Sequence, residues 1–182
     1  EIHWTCDKSV SKKNVPIKEK LHYSDGIKDY LHSLCSPQEP IFEDPFYFNT
    51  KISDEDGKIE GIINWFDAME AINESYCNTI KTPMGGTHES GFKSGVFKAF
   101  KEFSKLKYEK KSSQINQEDL FGSSASILSV FLENPEFQGQ TKEKLSSIEP
   151  GRKIESKVKI LFEQWLTSKT KSAEELFLYA FN

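Results

Sequence analysis

The sequence predicts a domain of the α/β (α+β) class, with helices packed on a sheet. Apolar residues recur at spacings of three and four in several segments, which is typical of helices with one buried face. Short runs rich in β-branched and aromatic residues, bounded by Gly, Pro or Asp, are typical of strands. The two kinds of segment alternate along 182 residues, a length that suits one core or one domain with an appendage.

The composition indicates a folded protein and limits its partners. Fourteen Phe and three Trp supply the apolar surface that a disordered chain lacks. A net charge of -4 argues against a protein that coats nucleic acid, so any DNA contact must be a local basic patch. No apolar run approaches the ~18 residues needed to span a bilayer, and no signal peptide is visible. We therefore expect a soluble cytoplasmic protein with no membrane partner. Because the chain begins at Glu1 without a Met, we also expect it to be a piece of something longer.

The three cysteines, Cys6, Cys35 and Cys77, are odd in number and widely spaced. No C-x-x-C pair occurs among them, which argues against both a disulfide framework and a thiolate zinc site. The prediction is three reduced thiols and no metal site.

The first predicted elements are two short strands and a helix. Residues 1–9 (EIHWTCDKS) form a strand that leads into a lysine-rich connector ending near Lys20, and the next strand opens at Leu21. Ser24 and Asp25 are candidate N-caps of the helix that follows. Its apolar stripe consists of Ile27, Tyr30, Leu31 and Leu34.

Four further strands are predicted in the middle of the chain. Segments 46–52 (FYFNTKI) and 58–66 (KIEGIINWF) form a hairpin, because the acidic turn 53–57 (SDEDG) between them ends in Gly. Segment 75–82 (SYCNTIKT) is a strand by its β-branched content. The apolar run 125–132 (ASILSVFL) is a buried strand.

Three longer helices are predicted. The first begins at Ser90 and the second begins beyond Pro150 and Gly151. The third helix, 172–181, starts with a capping box of Ser172 and Glu175. A polar loop and a short helical turn at 118–123 lead from the first helix to the buried strand. The buried faces of the first two helices are Phe92, Val96, Ala99, Phe100 and Phe103, and Ile154, Val158, Leu161, Phe162 and Trp165.

Three segments carry the chemistry: 75–92 (SYCNTIKTPMGGTHESGF), 118–137 (EDLFGSSASILSVFLENPEF) and 139–147 (GQTKEKLSS). In this order and spacing they resemble the transducer domain of the B subunits of bacterial type IIA DNA topoisomerases. The resemblance covers almost all of residues 20–182. It is closer to topoisomerase IV than to gyrase, which is the near alternative.

The resemblance implies a fold like the second domain of small-subunit ribosomal protein five (S5). That fold has a mixed sheet with helices packed on one side, a left-handed crossover and a long C-terminal helix. Periodicity does not predict this crossover, since most such connections are right-handed. The resemblance also implies that residues 1–19 are the C-terminal remnant of a GHKL-type ATPase domain plus a connector, and that residues 20–182 are the transducer domain.

The loop of the third segment contains Gln140 and Lys142. A surface lysine is usually only a solvated charge, but a phosphate binds a positive charge on a flexible stem together with hydrogen-bond donors. By the resemblance, this loop reaches the neighbouring ATPase domain. There Lys142 is catalytic, stabilising charge on the γ-phosphate, and Gln140 and Lys142 belong to the ATP-binding site. The implied cofactors are ATP and Mg, with the Mg ligands outside this chain.

Segment 85–89 (GGTHE) marks a change from strand to helix. Two glycines before a helix could form an anion-binding nest, and Thr87 is a candidate N-cap. A metal or catalytic role for His88 and Glu89 lacks a second ligand at a suitable spacing. We therefore predict a tight strand-to-helix turn here.

Lys98, Lys101 and Lys105 fall on one side of the helix that begins at Ser90. They are either its solvated face or a DNA-binding surface that lines the cavity for a transported duplex, where lysines give weak, sequence-blind attraction to phosphates. The partners implied by the resemblance are double-stranded DNA, the ATPase domain and DNA-cleavage core of the same polypeptide, a second copy of that polypeptide, and the A subunit of topoisomerase IV.

Two other classes stay open from the residues. One is an RNA-binding module with a ribosomal-protein-like fold, against which the acidic balance argues. The other is the ATPase arm of a chaperone or mismatch-repair protein, against which the joint presence of segments 85–92 and 139–145 argues. No Gly-rich phosphate loop appears in the chain, so we expect the fragment alone to be inactive.

Overall fold

The computed structural model describes residues 1–9, 15–54 and 57–181. Residues 10–14 of the predicted connector, and Glu55 and Asp56 of the predicted hairpin turn, lie outside the described residues. The chain divides into two compact units, Glu1–Ser36 and Pro37–Asn182. All three cysteines are unpaired thiols. Within the described residues, no helix is both long and apolar enough to cross a membrane.

Two short antiparallel strands open the first unit. β1 (Ile2–Thr5) pairs with β2 (Lys18–Leu21), and Ile2 lies opposite Leu21. The second strand therefore ends at Leu21, where the sequence predicted it to begin. The register explains the difference, because pairing with β1 draws residues of the lysine-rich connector into the ladder.

The helix of this unit, α1 (Ile27–Cys35), is not capped as predicted. Its N-cap is Gly26, and neither Ser24 nor Asp25 caps it with its side chain. Instead, Oδ2 of Asp29 accepts hydrogen bonds from the Asp25 backbone N–H at 3.0 Å and from the Ser24 hydroxyl at 3.3 Å. A carboxylate in the first turn thus binds the preceding residues and lies near the positive end of the helix.

The second unit contains a five-stranded mixed sheet with the strand order β3-β4-β7-β5-β6. β5 runs parallel to β7, and the other neighbours are antiparallel. The predicted hairpin and the predicted buried strand are confirmed as β3, β4 and β7. The strands are β3 (Phe46–Ser53), β4 (Gly57–Trp65), β5 (Ile72–Cys77), β6 (Ile80–Lys81) and β7 (Ser124–Phe131).

The prediction of one continuous strand over 75–82 is wrong. The chain reverses after Cys77 through Asn78 and Thr79, whose φ angles are 49° and 68°. Two successive left-handed residues are the geometry of a tight hairpin turn, which Asn tolerates better than most residues. The Asn78 amide also donates to the Leu132 carbonyl and accepts from the Leu132 N–H, both at 2.9 Å. The turn is thereby attached to the chain just after β7.

Four helices complete the second unit: α2 (Thr87–Ser112), α3 (Gln117–Phe121), α4 (Ile148–Ser168) and α5 (Thr170–Phe181). α2 and α4 each begin ahead of their predicted starts, because the apolar stripe that periodicity detects begins one turn inside the helix. Pro150 lies in the first turn of α4, where its missing N–H leaves no hydrogen bond unmade.

The capping box predicted at Ser172 and Glu175 is wrong. α5 begins at Thr170, directly after Lys169, so Ser172 lies inside the helix. A capping box exists instead at the start of α3, where Asn116 and Asp119 exchange side-chain and backbone hydrogen bonds.

One hydrophobic core lies between a face of the sheet and the helices of the second unit. Alternate residues of β4, among them Ile59, Ile63 and Trp65, point into it. Burying each large apolar side chain contributes about 1.5–3 kcal/mol, so this layer dominates the stability of the unit. The predicted helix faces are confirmed, with Phe92, Val96, Ala99, Phe100, Ile154, Val158 and Phe162 fully buried, Trp165 nearly so, and Phe103 and Leu161 packed against them.

α2 and α4 lie against each other along their length and run in the same direction. A Cβ added at Gly91 would lie 2.3 Å from the Gly151 carbonyl oxygen, and one added at Gly95 would lie 2.7 Å from that of Glu155. The two main chains are therefore in contact, which requires glycine at these positions. Both helices begin at the same end of the sheet.

Candidate functional site

The predicted phosphate-contacting residues lie at the tip of the loop 132–147, which connects β7 to α4. Gln140 and Lys142 are both exposed there. The backbone of Lys142 is left-handed, with φ 57°, which is uncommon for a residue with a Cβ. Its Nζ lies 6.0 Å from the ring centroid of Phe137, a contact within the range of weak cation–π attraction.

The base of this loop is closed by hydrogen bonds between its two arms. The Gln138 N–H donates to the Lys144 carbonyl, and the Ser146 N–H donates to the Glu136 carbonyl, each at 2.8 Å. The Glu136 N–H donates to the hydroxyl of Ser147 at 2.8 Å. Only residues 139–143 project beyond this closure, so the tip is short and its base is fixed.

The arm that follows Lys142 is also bound to the predicted strand-to-helix turn. Met84 N–H donates to the Glu143 carbonyl at 3.0 Å, and Leu145 N–H donates to the Gly85 carbonyl at 3.1 Å. Thr87 N–H donates to the Leu145 carbonyl at 3.0 Å. These three bonds form a short parallel pairing between 84–87 and 143–145.

Gly86 makes this pairing possible. A Cβ at this position would lie 2.3 Å from the Leu145 carbonyl oxygen, and its φ of 142° is one that residues with side chains rarely adopt. Gly86 is also the N-cap of α2, so the prediction of Thr87 as N-cap is wrong. The Thr87 hydroxyl donates instead to the Ser147 carbonyl at 2.7 Å, which joins the start of α2 to the start of α4.

A buried polar cluster lies beneath the turn, formed by Ser75, Thr82 and His88, with the partly exposed Glu89 at its edge. The Thr82 hydroxyl donates to the Ser75 carbonyl at 2.9 Å and lies 2.7 Å from the Ser75 hydroxyl and 3.1 Å from His88 Nε2. Glu89 lies 3.3 Å from the Ser75 hydroxyl and forms an ion pair with Lys93 at 2.9 Å. The cluster joins β5, the hairpin and the start of α2.

His88 is fully buried. Burial lowers its pKa to about 4, against the opposite effect of the neighbouring Glu89. Its Nδ1 has no hydrogen-bond partner among the described residues. Across residues 1–9, 15–54 and 57–181, no group of three or more His, Cys, Asp or Glu side chains is arranged to hold a metal ion. The chain passes from the turn 82–85, closed by the bond from the Gly85 N–H to the Thr82 carbonyl, directly into α2 at Thr87, as the prediction of a tight strand-to-helix turn requires.

The three lysines predicted to contact DNA all lie on α2, but the surface around them is not purely cationic. Lys98 pairs with Glu155 of α4 at 2.6 Å, and this contact lowers the pKa of Glu155. Lys101 lies over the ring of Phe97, 5.6 Å from its centroid. Lys105 is exposed. Their DNA contacts stay a prediction.

An open groove of about 930 Å³ lies beside the loop base, between the starts of α2 and α4. Lys93, Lys144 and Arg152 line it, and so do Glu89 and Glu155. Cations and carboxylates are mixed along its wall, so the groove favours neither an anion nor a cation on charge alone.

Sequence reasoning missed Ser75, Thr82 and Asn78. Ser75 and Thr82 fix the turn before α2 to β5, and Asn78 fixes the turn between β5 and β6 to Leu132. The residue Asn78 carried a signal, because Asn inside a β-branched run is typical of a left-handed turn. Ser75 and Thr82 carried none, since their partners are set by the hairpin that brings them together.

Comparison with known proteins gives a consistent result. The family model described as DNA gyrase B matches residues 26–182. The B subunit of DNA topoisomerase 4 from Caulobacter vibrioides is 36% identical over 180 residues, covering 97% of this chain and 26% of the relative. The corresponding protein of Rickettsia typhi is 38% identical over 168 residues, covering 92% and 25%. The chain thus spans about a quarter of the length of the curated relatives that it matches.

Solved structures are similar as well. The topoisomerase IV ATP-binding domain of Francisella tularensis, in complex with a small-molecule inhibitor, superposes with a TM-score of 0.74 and 29% identity. The superposition covers 90% of this chain and 43% of the Francisella tularensis chain. The 43K ATPase domain of Thermus thermophilus gyrase B, in complex with an aminocoumarin, superposes with a TM-score of 0.78. That superposition covers 90% of this chain and 44% of the gyrase chain. At 24% identity, the second similarity supports the fold alone.

Proposed function

This chain belongs to the DNA gyrase B family, and we propose on that premise that residues 20–182 are the transducer domain of the ATP-hydrolysing B subunit of a topoisomerase IV. The domain senses the γ-phosphate of ATP through Lys142 and couples ATP binding and hydrolysis to closure of the protein around DNA. The names of the relatives favour topoisomerase IV over gyrase as the type of enzyme.

The proposed boundary between the two domains lies at residue 20, whereas the boundary between the two compact units lies after Ser36. The family model begins at residue 26, which supports assigning α1 to the transducer domain. By contacts, α1 belongs with β1 and β2 in the unit Glu1–Ser36. We propose that residues 1–19 belong to the preceding ATPase domain, because the two-stranded ladder that contains them, which extends to Leu21, is marginal in water without further strands.

The observation that carries the proposal is the placement of Lys142. Its ammonium group lies on an exposed tip, and the arm behind it is bound on one side to the loop and on the other to the turn before α2. The weak contact with Phe137, worth roughly 0.5–1 kcal/mol at an exposed site, is easily exchanged for a phosphate. Gln140 supplies further donors at the same tip.

Such a contact can couple a nucleotide to a movement. Lys142 gains it only while the terminal phosphate is present, so its contribution ends on hydrolysis and release. A ligand shifts a conformational equilibrium only by its differential affinity for the two states. A contact across a domain boundary that exists in one nucleotide state alone therefore biases a rigid-body rotation of one domain against the other.

The remaining components follow from this role. ATP and its Mg²⁺ are held by the preceding ATPase domain, with Lys142 as the contribution of this chain. The partners are the DNA-cleavage core of the same polypeptide, a second copy of that polypeptide, double-stranded DNA and the A subunit of topoisomerase IV. Strand passage by the whole enzyme gives decatenation and relaxation.

The test is Lys142→Ala in the full-length protein, assembled into the whole enzyme. ATP affinity should change little, whereas turnover should fall by about 10²–10³-fold, the loss typical of one charge contact made in the transition state. Equilibrium binding of a non-hydrolysable ATP analogue and steady-state hydrolysis measure the two quantities.

The matched control is Lys144→Ala, which removes the same charge from the same loop two residues away. Lys144 lies at the closed base rather than at the tip, so its loss should leave turnover within about twofold of the unmodified enzyme. Equal losses in the two variants, or normal turnover in Lys142→Ala, would remove Lys142 from the mechanism.

A further inference from the structure

We infer that Thr82 is a positioning residue for Lys142, acting from the buried cluster through the turn before α2. The inference rests on the proposed function of Lys142 and adds a residue that touches no nucleotide. It depends on an unbroken series of hydrogen bonds from the core of the sheet to the residue that follows Lys142.

Thr82 is the centre of the buried cluster and is only 1% exposed. Its backbone N–H and its hydroxyl both donate to the Ser75 carbonyl, at 2.8 and 2.9 Å. Its carbonyl accepts from the Gly85 N–H at 2.8 Å, which closes the turn 82–85. One residue thus fixes the turn to β5 through both its side chain and its main chain.

The neighbouring histidine is hydrogen-bonded to Thr82. Nε2 of His88 lies 3.1 Å from the Thr82 hydroxyl oxygen, which is also within hydrogen-bonding distance of the Ser75 carbonyl and hydroxyl. The start of α2 is therefore hydrogen-bonded to the same oxygen that fixes the turn. Without this oxygen, the buried Nε2 of His88 would be left unpaired, and β5 would keep only the main-chain bonds and the Ser75 hydroxyl as links to the turn.

The turn then holds the arm that carries Lys142. The Met84 N–H donates to the carbonyl of Glu143, the residue directly after Lys142. The Gly85 carbonyl accepts from the Leu145 N–H, and the Thr87 N–H donates to the Leu145 carbonyl. The Glu143 peptide is joined directly to the left-handed backbone of Lys142, so a displacement of this peptide also displaces the Cα atom from which the Lys142 side chain extends. The position of the ammonium therefore depends on the position of the turn.

The experiment replaces Thr82 in the full-length protein. Thr82→Val keeps the shape and removes the hydroxyl, and Thr82→Ser restores the hydroxyl. The control Ser124→Ala removes another buried hydroxyl, at the opposite end of β7, where it donates to the Phe121 carbonyl at 3.0 Å. Ser75→Ala serves as a milder variant if Thr82→Val does not fold.

We expect Thr82→Val to lower kcat about tenfold with the affinity for a non-hydrolysable ATP analogue within about twofold, because misplacing a reacting contact reduces the chemical step. Hydrogen exchange of the Met84 and Leu145 amides should accelerate in the same variant. Thr82→Ser should recover most of the lost kcat. Ser124→Ala should leave both kcat and these two amides unchanged.

A parallel measurement of Lys142→Ala separates the two ideas. If Lys142→Ala loses turnover while Thr82→Val, or Ser75→Ala in its place, keeps normal kcat and normal exchange, the positioning role is wrong and the proposed function stands. If Lys142→Ala turns over normally, the proposed function is wrong and this inference falls with it. If Ser124→Ala lowers kcat as much as Thr82→Val, the effect is a general loss of stability and the inference is also overturned.

Discussion

The helical layer and the loop region of the second unit are held together by different forces. α2 and α4 are joined by apolar burial and direct main-chain contact at Gly91 and Gly151. The loop tip and the turn before α2 are joined by backbone hydrogen bonds and a buried polar cluster. Apolar burial is non-directional, whereas hydrogen bonds fix direction and distance. The first kind of contact makes a stiff body, and the second sets where a single side chain lies.

The largest expected effect breaks the helical layer. Phe162 is fully buried and packs edge-on against Phe46, with ring centroids 4.8 Å apart, and stacks on Trp165. Phe162→Ala should lower the free energy of unfolding by about 3–5 kcal/mol. Urea denaturation of the full-length protein, followed by the fluorescence of its tryptophans, measures the loss. A change below about 1 kcal/mol would mean that apolar burial does not dominate this layer.

The next largest effect is a loss of stability at low pH that should reach the loop region before the helical layer. The pKa of His88 is lowered to about 4, so the unfolded chain binds its proton near pH 6.5 while the folded chain does not. The stabilisation of the folded state by neutral His88 is therefore complete above about pH 6.5. As the pH falls toward 4, the free energy of unfolding decreases by up to roughly 3 kcal/mol. The protection factor of the Leu145 amide, which corrects the exchange rate for its intrinsic pH dependence, should therefore fall on acidification before those of the α4 core.

His88→Gln should abolish this part of the pH dependence, and His22→Gln, which changes an exposed residue, should retain it. If the unfolding free energy of the His88 variant still falls over the same pH range, another group is responsible.

The smallest expected effect concerns the α2 surface. Lys98→Glu breaks an exposed pair with Glu155, and such pairs contribute only about 0.2–1 kcal/mol to stability. If α2 faces DNA, the charge reversal should reduce DNA-stimulated ATP hydrolysis more than basal hydrolysis, and more so at low salt. Lys107→Glu, which breaks a similar exposed pair with Glu174, is the matched control. Equal reductions in both rates, or equal effects of both variants, would identify Lys98 as a structural residue.

The sequence predicts the helical layer better than the loop region, for a physical reason. The buried faces of α2 and α4 repeat every three to four residues, so Phe92, Val96 and Ile154 reveal themselves by spacing. Thr82 shows no such signal, because its partners Ser75 and His88 lie seven and six residues away and meet only through the hairpin turn. Helix starts were misplaced for a related reason, since backbone and side-chain caps such as Gly86 and Asp29 depend on local geometry.

The function of the loop could be predicted only through resemblance. Gln140 and Lys142 are ordinary surface residues by type, and the conformation that sets Lys142 apart is a backbone angle. No pattern of residue types reveals that angle, and the bonds of the neighbouring Glu143 and Leu145 go to a turn that is distant in the sequence.

The contact of main chain on main chain at Gly91 and Gly151 also limits how α2 and α4 can travel. Two helices that touch this closely cannot slip past each other by a turn without first separating, which would expose their shared apolar face. The two helices therefore shift together over this contact, and the kink of α2 at Tyr108 lies beyond it. α4 alone extends over 21 residues, about 30 Å, so the end of the pair nearest the loop and the far end of α4 belong to one continuous helix.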